Sequence, residues 1–566
     1  MTTLAEPRQL TLIRKQIEEP VDLLALWAST SYHQKAYWTV PDTGFEFVAL
    51  GKAQQFRTEE RAARFQSVRA ALDTLKIDLT GDTGPDFSAG VLVGGFAFSD
   101  REIERHPDWA VFGGGELVLP EIFVVRSNGS TWMTHVDGAT IPSLTPELDQ
   151  DLGWVKEVDH QNDPNYLELV SSALTEINAG NMTKVVTARS LSLPANLNSA
   201  ALLQRLRLRH PSCATFAIAH GSQVFLGASP ETLVNVRGDR LETAALAGSR
   251  PRHEHPGAAA RLRAELLANP KERTEHQIVI DDIRNSLTAA GVHLDAPAPT
   301  GVMKLRRIQH LHTPISGDLP GNIDILDLIK ALHPTPAVAG LPRQRAQDWI
   351  DENELMDRGW YAAPVGWMTP EGGGEFRVAL RSALLTDKSL TLFAGGGIVD
   401  GAEPDRELAA PDRRAADVVE LVRHDREGRH VCQGRDASGH LVDEDLERNL
   451  VARHGRRHRG HGGGVHKCCR MLRRAVDPDR LQVIDLVDRV LQRAVGLAPS
   501  LRQVVDRGRR DIVKRVPCAF FGEGTGCLAR GIAQALQVGA GRSGRSRQGR
   551  TGGAGRGAVA LRAVGE

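Results

Sequence analysis

The strongest constraint on the fold is an alternation that fills the first four hundred residues and then stops. Apolar runs rich in β-formers, VLVGGFAF, LPEIFVVR, QVFLGAS and SLTLFAGGGIV, are bounded by Gly, Pro, Asn or Asp, as strands usually are. Between them lie stretches with helical spacing. DPNYLELVSSALTEINAG has an Asp to start it and a Gly to stop it, and NPKERTEHQIVIDDIRNSL reads as a second helix. The mixture predicts a single large α/β (α+β) domain over residues 1–407, with layered β-sheets in the middle and helices outside.

The text changes at Leu408. Beyond it Lys467 and Lys514 are the only lysines, and RHGRRHRGHGGG and GAGRSGRSRQGRTGGAGRG are low-complexity. Such segments cannot bury enough apolar area to offset the entropy of ordering them. LQVIDLVDRVLQRAVGL does have helical spacing. Three readings of residues 408–566 follow: a disordered appendage, a small basic binding module, or translation of GC-rich DNA out of frame. His458, His461, His466, Cys468 and Cys469 do not match a zinc spacing. Only Cys213 among the six cysteines lies in the first 400 residues, which argues against a disulfide framework.

Charge excludes little but points away from two partners. Lys+Arg and Asp+Glu both total 70, so nothing favours nucleic acid or a membrane surface. The opening MTTLAEPRQLTLIRKQIEEP has no apolar core of the secretory kind, and no run of about 18 apolar residues occurs. The expectation is a cytoplasmic monomer acting on a small molecule.

Four segments hold unusual polar residues, and each has a plain reading. Lys184 sits at the mouth of a β-like run, where a solvated lysine is ordinary. Glu231 follows a Ser-Pro turn and could cap a helix start. Glu272 and Glu275 are three apart, so they share one face of their helix, which could be a solvated one. Gly395, Gly396 and Gly397 follow a strand; they could form a tight turn or let backbone N–H groups approach an anion.

In combination these segments resemble the chorismate-binding enzymes, a family that includes isochorismate, salicylate, anthranilate and aminodeoxychorismate synthases. KVVTARS, LGASPETLV, ALAGSRPR, KERTEH, QHLHTPISG, LHPTPAVAGLPR, WYAAPVGW, EFRVALRS and FAGGGIVDG carry the resemblance, from about Asn181 to Glu407. Residues before Asn181 match the family's variable N-terminal part more loosely. The resemblance implies a Mg²⁺ site in which Glu275 is a direct ligand and Glu272 and Glu407 are further carboxylates. All-oxygen ligation suits that ion. It implies that Gly248 meets the substrate near the leaving hydroxyl and that Tyr361 and Arg381 hold the enolpyruvyl carboxylate, with backbone N–H donors at Gly395 and Gly397. Arginine suits a planar carboxylate. His310 would line the site, or be a satisfied structural histidine.

The family's reactions begin by protonating the 4-hydroxyl of chorismate, and Glu231 resembles that acid. Members that attack C2 with water use a lysine to activate it, and Lys184 stands in that place. Where Ala337 stands, salicylate synthases of the family tend to carry a hydroxyl residue. The implied activity is therefore isochorismate synthase, an isomerase that feeds menaquinone or catechol siderophore biosynthesis. Salicylate synthase and an impaired chorismate-binding protein are the alternatives.

One departure stands out. The family's second metal-binding helix carries two carboxylates three residues apart; here Glu407 is followed by Ala410, and the text beyond no longer resembles the family. A reading-frame shift between these positions would account for both facts. The chain as written should then bind Mg²⁺ weakly and turn over slowly. Limited proteolysis should cut beyond residue 408 before it cuts within the first 400 residues; the reverse order would contradict a loosely packed tail.

Overall fold

A computed structural model describes residues 9–407 of the protein apart from 102–106, 157–162, 254, 306–307, 322 and 406. The expectations for the tail, Ala410 included, lie outside these residues. Among the described residues two large sheets stack face to face. The first contains 13 strands, with Lys184–Leu197, Ser389–Val399, Ser382–Leu385, Gln223–Ser229 and Ala214–His220 adjacent in that order. The second contains 10 strands, among them Ile308–Asp318, Arg240–Pro251, Thr232–Arg237, Gly374–Val378 and Pro364–Met368, again in that order.

Alternation along the strands makes the layers. Trp38, Phe47, Phe216 and Ile218 point from the larger sheet into the core between the sheets, where Phe96, Val365 and Phe376 meet them. Their neighbours Tyr37, Val48 and Ala217 point the other way. There they pack with Leu24 and Trp27 of the helix Leu23–Ser29 and with Leu202 and Leu206 of the helix Ser199–Arg209. A period of two sends successive side chains to opposite faces, so these strands of the larger sheet feed two cores. The expected strands QVFLGAS and SLTLFAGGGIV are present over their whole lengths.

Helix boundaries follow local chemistry. Asp163 caps Pro164–Asn178 by accepting from Tyr166 N–H. Asn269 caps Pro270–Ala289, with Pro270 at the first position, and accepts from Glu272 N–H. This second helix buries His276, Val279, Ile280, Ile283 and Leu287 on one stripe and packs against Arg240–Pro251. One helical reading fails: Glu231 precedes the strand Thr232–Arg237, not a helix. The glycine run is likewise not a turn, because Gly395–Gly397 lie inside Ser389–Val399 and pair with Lys184–Leu197.

A buried ion pair fastens the Lys184 strand. Arg358 and Glu354 are 3% and 2% exposed and four residues apart, just beyond the helix Arg343–Asn353. The guanidinium donates to Glu354, to Val186 O at 2.7 Å and to Val338 O at 2.9 Å; Glu354 Oε1 accepts from Ala188 N–H at 2.9 Å. The pair thus pins two points of Lys184–Leu197 and the segment next to Ala337. Removing one partner strands the other charge in the interior. Arg358→Met should lower the unfolding free energy by about 3–5 kcal/mol, and a double Arg358→Met/Glu354→Leu variant should lose less than that. Urea titration measures both; a loss below about 1 kcal/mol for the single variant would contradict a fastening role.

Candidate active site

The chain crosses from the larger sheet to the smaller one between Ser229 and Thr232, and returns between Val378 and Ser382. The crossings lie side by side. Val378 N–H donates to Glu231 O at 3.1 Å, Ser229 Oγ to Val378 O at 2.6 Å, and Ala228 N–H to Arg381 O at 3.2 Å. Each crossing carries one expected site residue, Glu231 on the first and Arg381 on the second. Arg381 has φ 50°, and Ala362, next to Tyr361, has φ 58°. Non-glycine residues seldom occupy this left-handed region, and when they do the surroundings hold them there, often at functional sites.

Glu231 is 7% exposed because it sits where the chain passes between the layers. Burial raises its carboxyl from the ordinary 4.5 to about 7, while the nearby Lys184 ammonium pulls in the opposite direction. The structure therefore brings the two residues expected to do acid and base work within electrostatic reach of each other.

Lys184 opens the strand Lys184–Leu197, whose register sets Val186 against Gly397, Thr187 against Gly396 and Ala188 against Gly395. The glycines clear space here. A Cβ on Gly397 would lie 3.0 Å from Lys184 Cε, and one on Gly395 would lie 3.2 Å from the Tyr361 hydroxyl. A Cβ on Gly396 would lie 3.3 Å from Glu407 Oε2 and 3.7 Å from the Tyr166 hydroxyl. Tyr361 is buried and stacks on Phe393 at 5.1 Å. Ala337 is half-buried beside Val338, whose carbonyl Arg358 holds.

On the smaller sheet the strand Arg240–Pro251 shifts register between Ala247 and Ser249. Gly248 takes the bulge with φ 73°, a conformation glycine adopts without a Cβ clash. The bulge aims Ser249 at two partners: its Oγ lies 2.7 Å from His310 Nδ1, and its N–H donates to Glu272 Oε2 at 2.9 Å. Glu272 Oε1 accepts from Arg250 at 2.7 Å. Glu275 is half-buried one turn further along the helix. In chemistry, Glu272, Glu275 and Glu407 suit a hard divalent cation, being carboxylate oxygens throughout. Among the described residues, however, no three ligating side chains converge on one point.

Several residues of the site went unread in the sequence: Ser249 and Arg250 on the bulge, Tyr166 and Thr187 behind the glycines, and the Glu354–Arg358 pair. Tyr166 and Thr187 meet hydroxyl to hydroxyl at 3.0 Å. Only the last pair leaves a mark in the text, an acid and an arginine four apart.

Comparisons with known proteins agree on one relationship. The family model described as "Chorismate binding enzyme" matches residues 2–140 and 140–411. The salicylate biosynthesis isochorismate synthase of Pseudomonas aeruginosa is 36% identical over 413 residues, covering 69% of this chain and 85% of that protein. The isochorismate synthase MenF of Bacillus subtilis is 32% identical over 420 residues, covering 69% and 89%. Among solved structures, the menaquinone-specific isochorismate synthase MenF of Escherichia coli superposes with a TM-score of 0.63 at 27% identity, covering 74% of this chain and 97% of that one.

Burying Glu231 has a stability cost with a defined pH dependence. Its carboxyl is raised in the folded state, so between about pH 4.5 and 7 the unfolded chain releases a proton that the folded chain keeps. Stability is lost as pH rises through that window. Glu231→Gln should therefore be more stable than the parent above pH 7, by up to about 3 kcal/mol, and should gain nothing below pH 4.5. Denaturant midpoints at pH 4 and pH 8 measure this; an equal effect at both would contradict the raised carboxyl.

Proposed function

Because the chain belongs to the chorismate binding enzyme family, we propose that it is an isochorismate synthase, with Glu231 as general acid and Lys184 as general base. The observation that carries these roles is the buried Glu231 carboxyl, raised to about 7 with Lys184 close by. A general acid works best when its pKa lies near the working pH, because it is then still protonated yet able to give the proton up. Glu231 donates to the departing 4-hydroxyl of chorismate, which leaves as water. Lys184, as the neutral amine, takes a proton from the water that adds at C2. One C–O bond forms at C2 and one breaks at C4, and both ring double bonds shift by one position (C1=C2 to C6=C1, C5=C6 to C4=C5), so substrate and product are isomers. One proton passes overall from Glu231 to Lys184, and exchange with solvent resets the pair.

The remaining residues bind and orient. Arg381 and Tyr361 hold the enolpyruvyl carboxylate, and the backbone at Gly395 and Gly397 approaches it, since no Cβ fills that space. Gly248 faces the leaving hydroxyl, and His310 is held against Ser249 on the same wall. Ala337 offers no polar group to help eliminate pyruvate. Glu272 and Glu275, on one helix face, would hold Mg²⁺ with water completing its shell, and Glu407 would have to move toward them to join, since the three do not converge; the ion when bound supplies positive charge to the substrate's ring carboxylate. Among the described residues no helix is long and apolar enough to cross a membrane.

Lys184→Ala and Glu231→Gln should each lower isochorismate formation by about 10²–10⁴-fold, the usual contribution of a positioned acid or base. Chromatography of the products formed from chorismate checks both rate and identity. Either variant turning over at the parent rate would remove its assigned role. Salicylate and pyruvate as main products would move the chain to the salicylate synthases.

A further inference from the structure

Glu272 is closely held before any cation arrives. It is 14% exposed, and each of its oxygens has a partner on the bulge: Oε1 has Arg250 Nη1 and Oε2 has Ser249 N–H. A Cβ on Gly248 would come within 3.0 Å of Oε2, so the carboxylate rests directly on the backbone there. Nothing in the acid–base chemistry uses Arg250. Yet its guanidinium is a permanent cation bonded to a carboxylate that the metal reading assigns to Mg²⁺.

We propose that Arg250 competes with the divalent cation for Glu272, which the Ser249 N–H holds against the Gly248 bulge. The proposal rests on the reading of Glu272 and Glu275 as cation ligands. A doubly charged ion at Glu272 meets the like charge of Arg250 at close range, and taking the carboxylate fully means breaking a charge-assisted bond. Arg250 is 33% exposed, so its head has water to move into. The Ser249 N–H is part of the strand and stays. Two partners therefore do different work: the backbone donor fixes where Glu272 points, and the arginine sets how readily it accepts a cation.

Calorimetric titration of MgCl₂ into the full chain, without substrate, tests this. Arg250→Met should bind Mg²⁺ more tightly than the parent, on the order of tenfold, the size of a Coulomb term across several Å in a water-like medium. Arg250→Gln, which keeps a donor but no charge, should tighten it similarly and guards against a folding defect in the first variant. Arg273→Met removes an equal charge from an exposed site on the same helix and should change the affinity by less than about twofold, because exposed charges are screened. Unchanged or weaker binding in both Arg250 variants would overturn the proposal, as would equal tightening by Arg273→Met. Glu275→Gln separates the two readings. It should weaken binding; if it leaves binding at the parent level, the cation site itself is misassigned and the role of Arg250 falls with it.

Discussion

Two chain crossings between stacked sheets, hydrogen-bonded to one another, set the conditions for everything at this site. A residue that leaves one sheet for the next cannot reach solvent on either face, so a carboxyl placed there loses its water. Glu231 is that residue on the outward crossing, and its raised pKa follows from position before any neighbour is considered. The return crossing is held against it through Ser229, Glu231 and Val378, and ends with Arg381 in a left-handed conformation. The same few bonds therefore fix Glu231 and Arg381 relative to each other.

The other half of the site depends on strand register. Lys184 owes its surroundings to partners more than two hundred residues away in sequence, Val399 and the glycines before it. Glycine at 397 gives the lysine side chain room along the sheet, and glycine at 395 leaves a hollow beneath the Tyr361 hydroxyl. A slip of one residue would turn Lys184 to the other face. The Glu354–Arg358 pair opposes such a slip by bonding backbone atoms of Val186 and Ala188 from within the protein.

Sequence disclosed the strands well, because alternation and bounding turn residues are local signals. The strands Gln223–Ser229 and Ser389–Val399 coincide with their apolar runs. Two local readings went astray for one physical reason. The Ser-Pro-Glu text before Thr232 has the chemistry of a helix start, and three successive glycines have the chemistry of a turn, but pairing with distant strands overrode both. Resemblance supplied Lys184, Glu231 and the carboxylates as candidates. It could not supply the burial of Glu231, the ties of Glu272 to Arg250 and Ser249, or the Glu354–Arg358 clamp, since each depends on which segments the fold brings together.

The central claim is that a buried acid and a nearby lysine exchange one hydroxyl of chorismate for a hydroxyl from water. Oxygen labelling addresses it at the level of the bond formed. When chorismate is converted in H₂¹⁸O, mass spectrometry of the first-turnover isochorismate should show one solvent-derived oxygen, located at C2. An unlabelled product, with the original 4-hydroxyl oxygen carried over to C2, would contradict a water nucleophile and with it the role of Lys184.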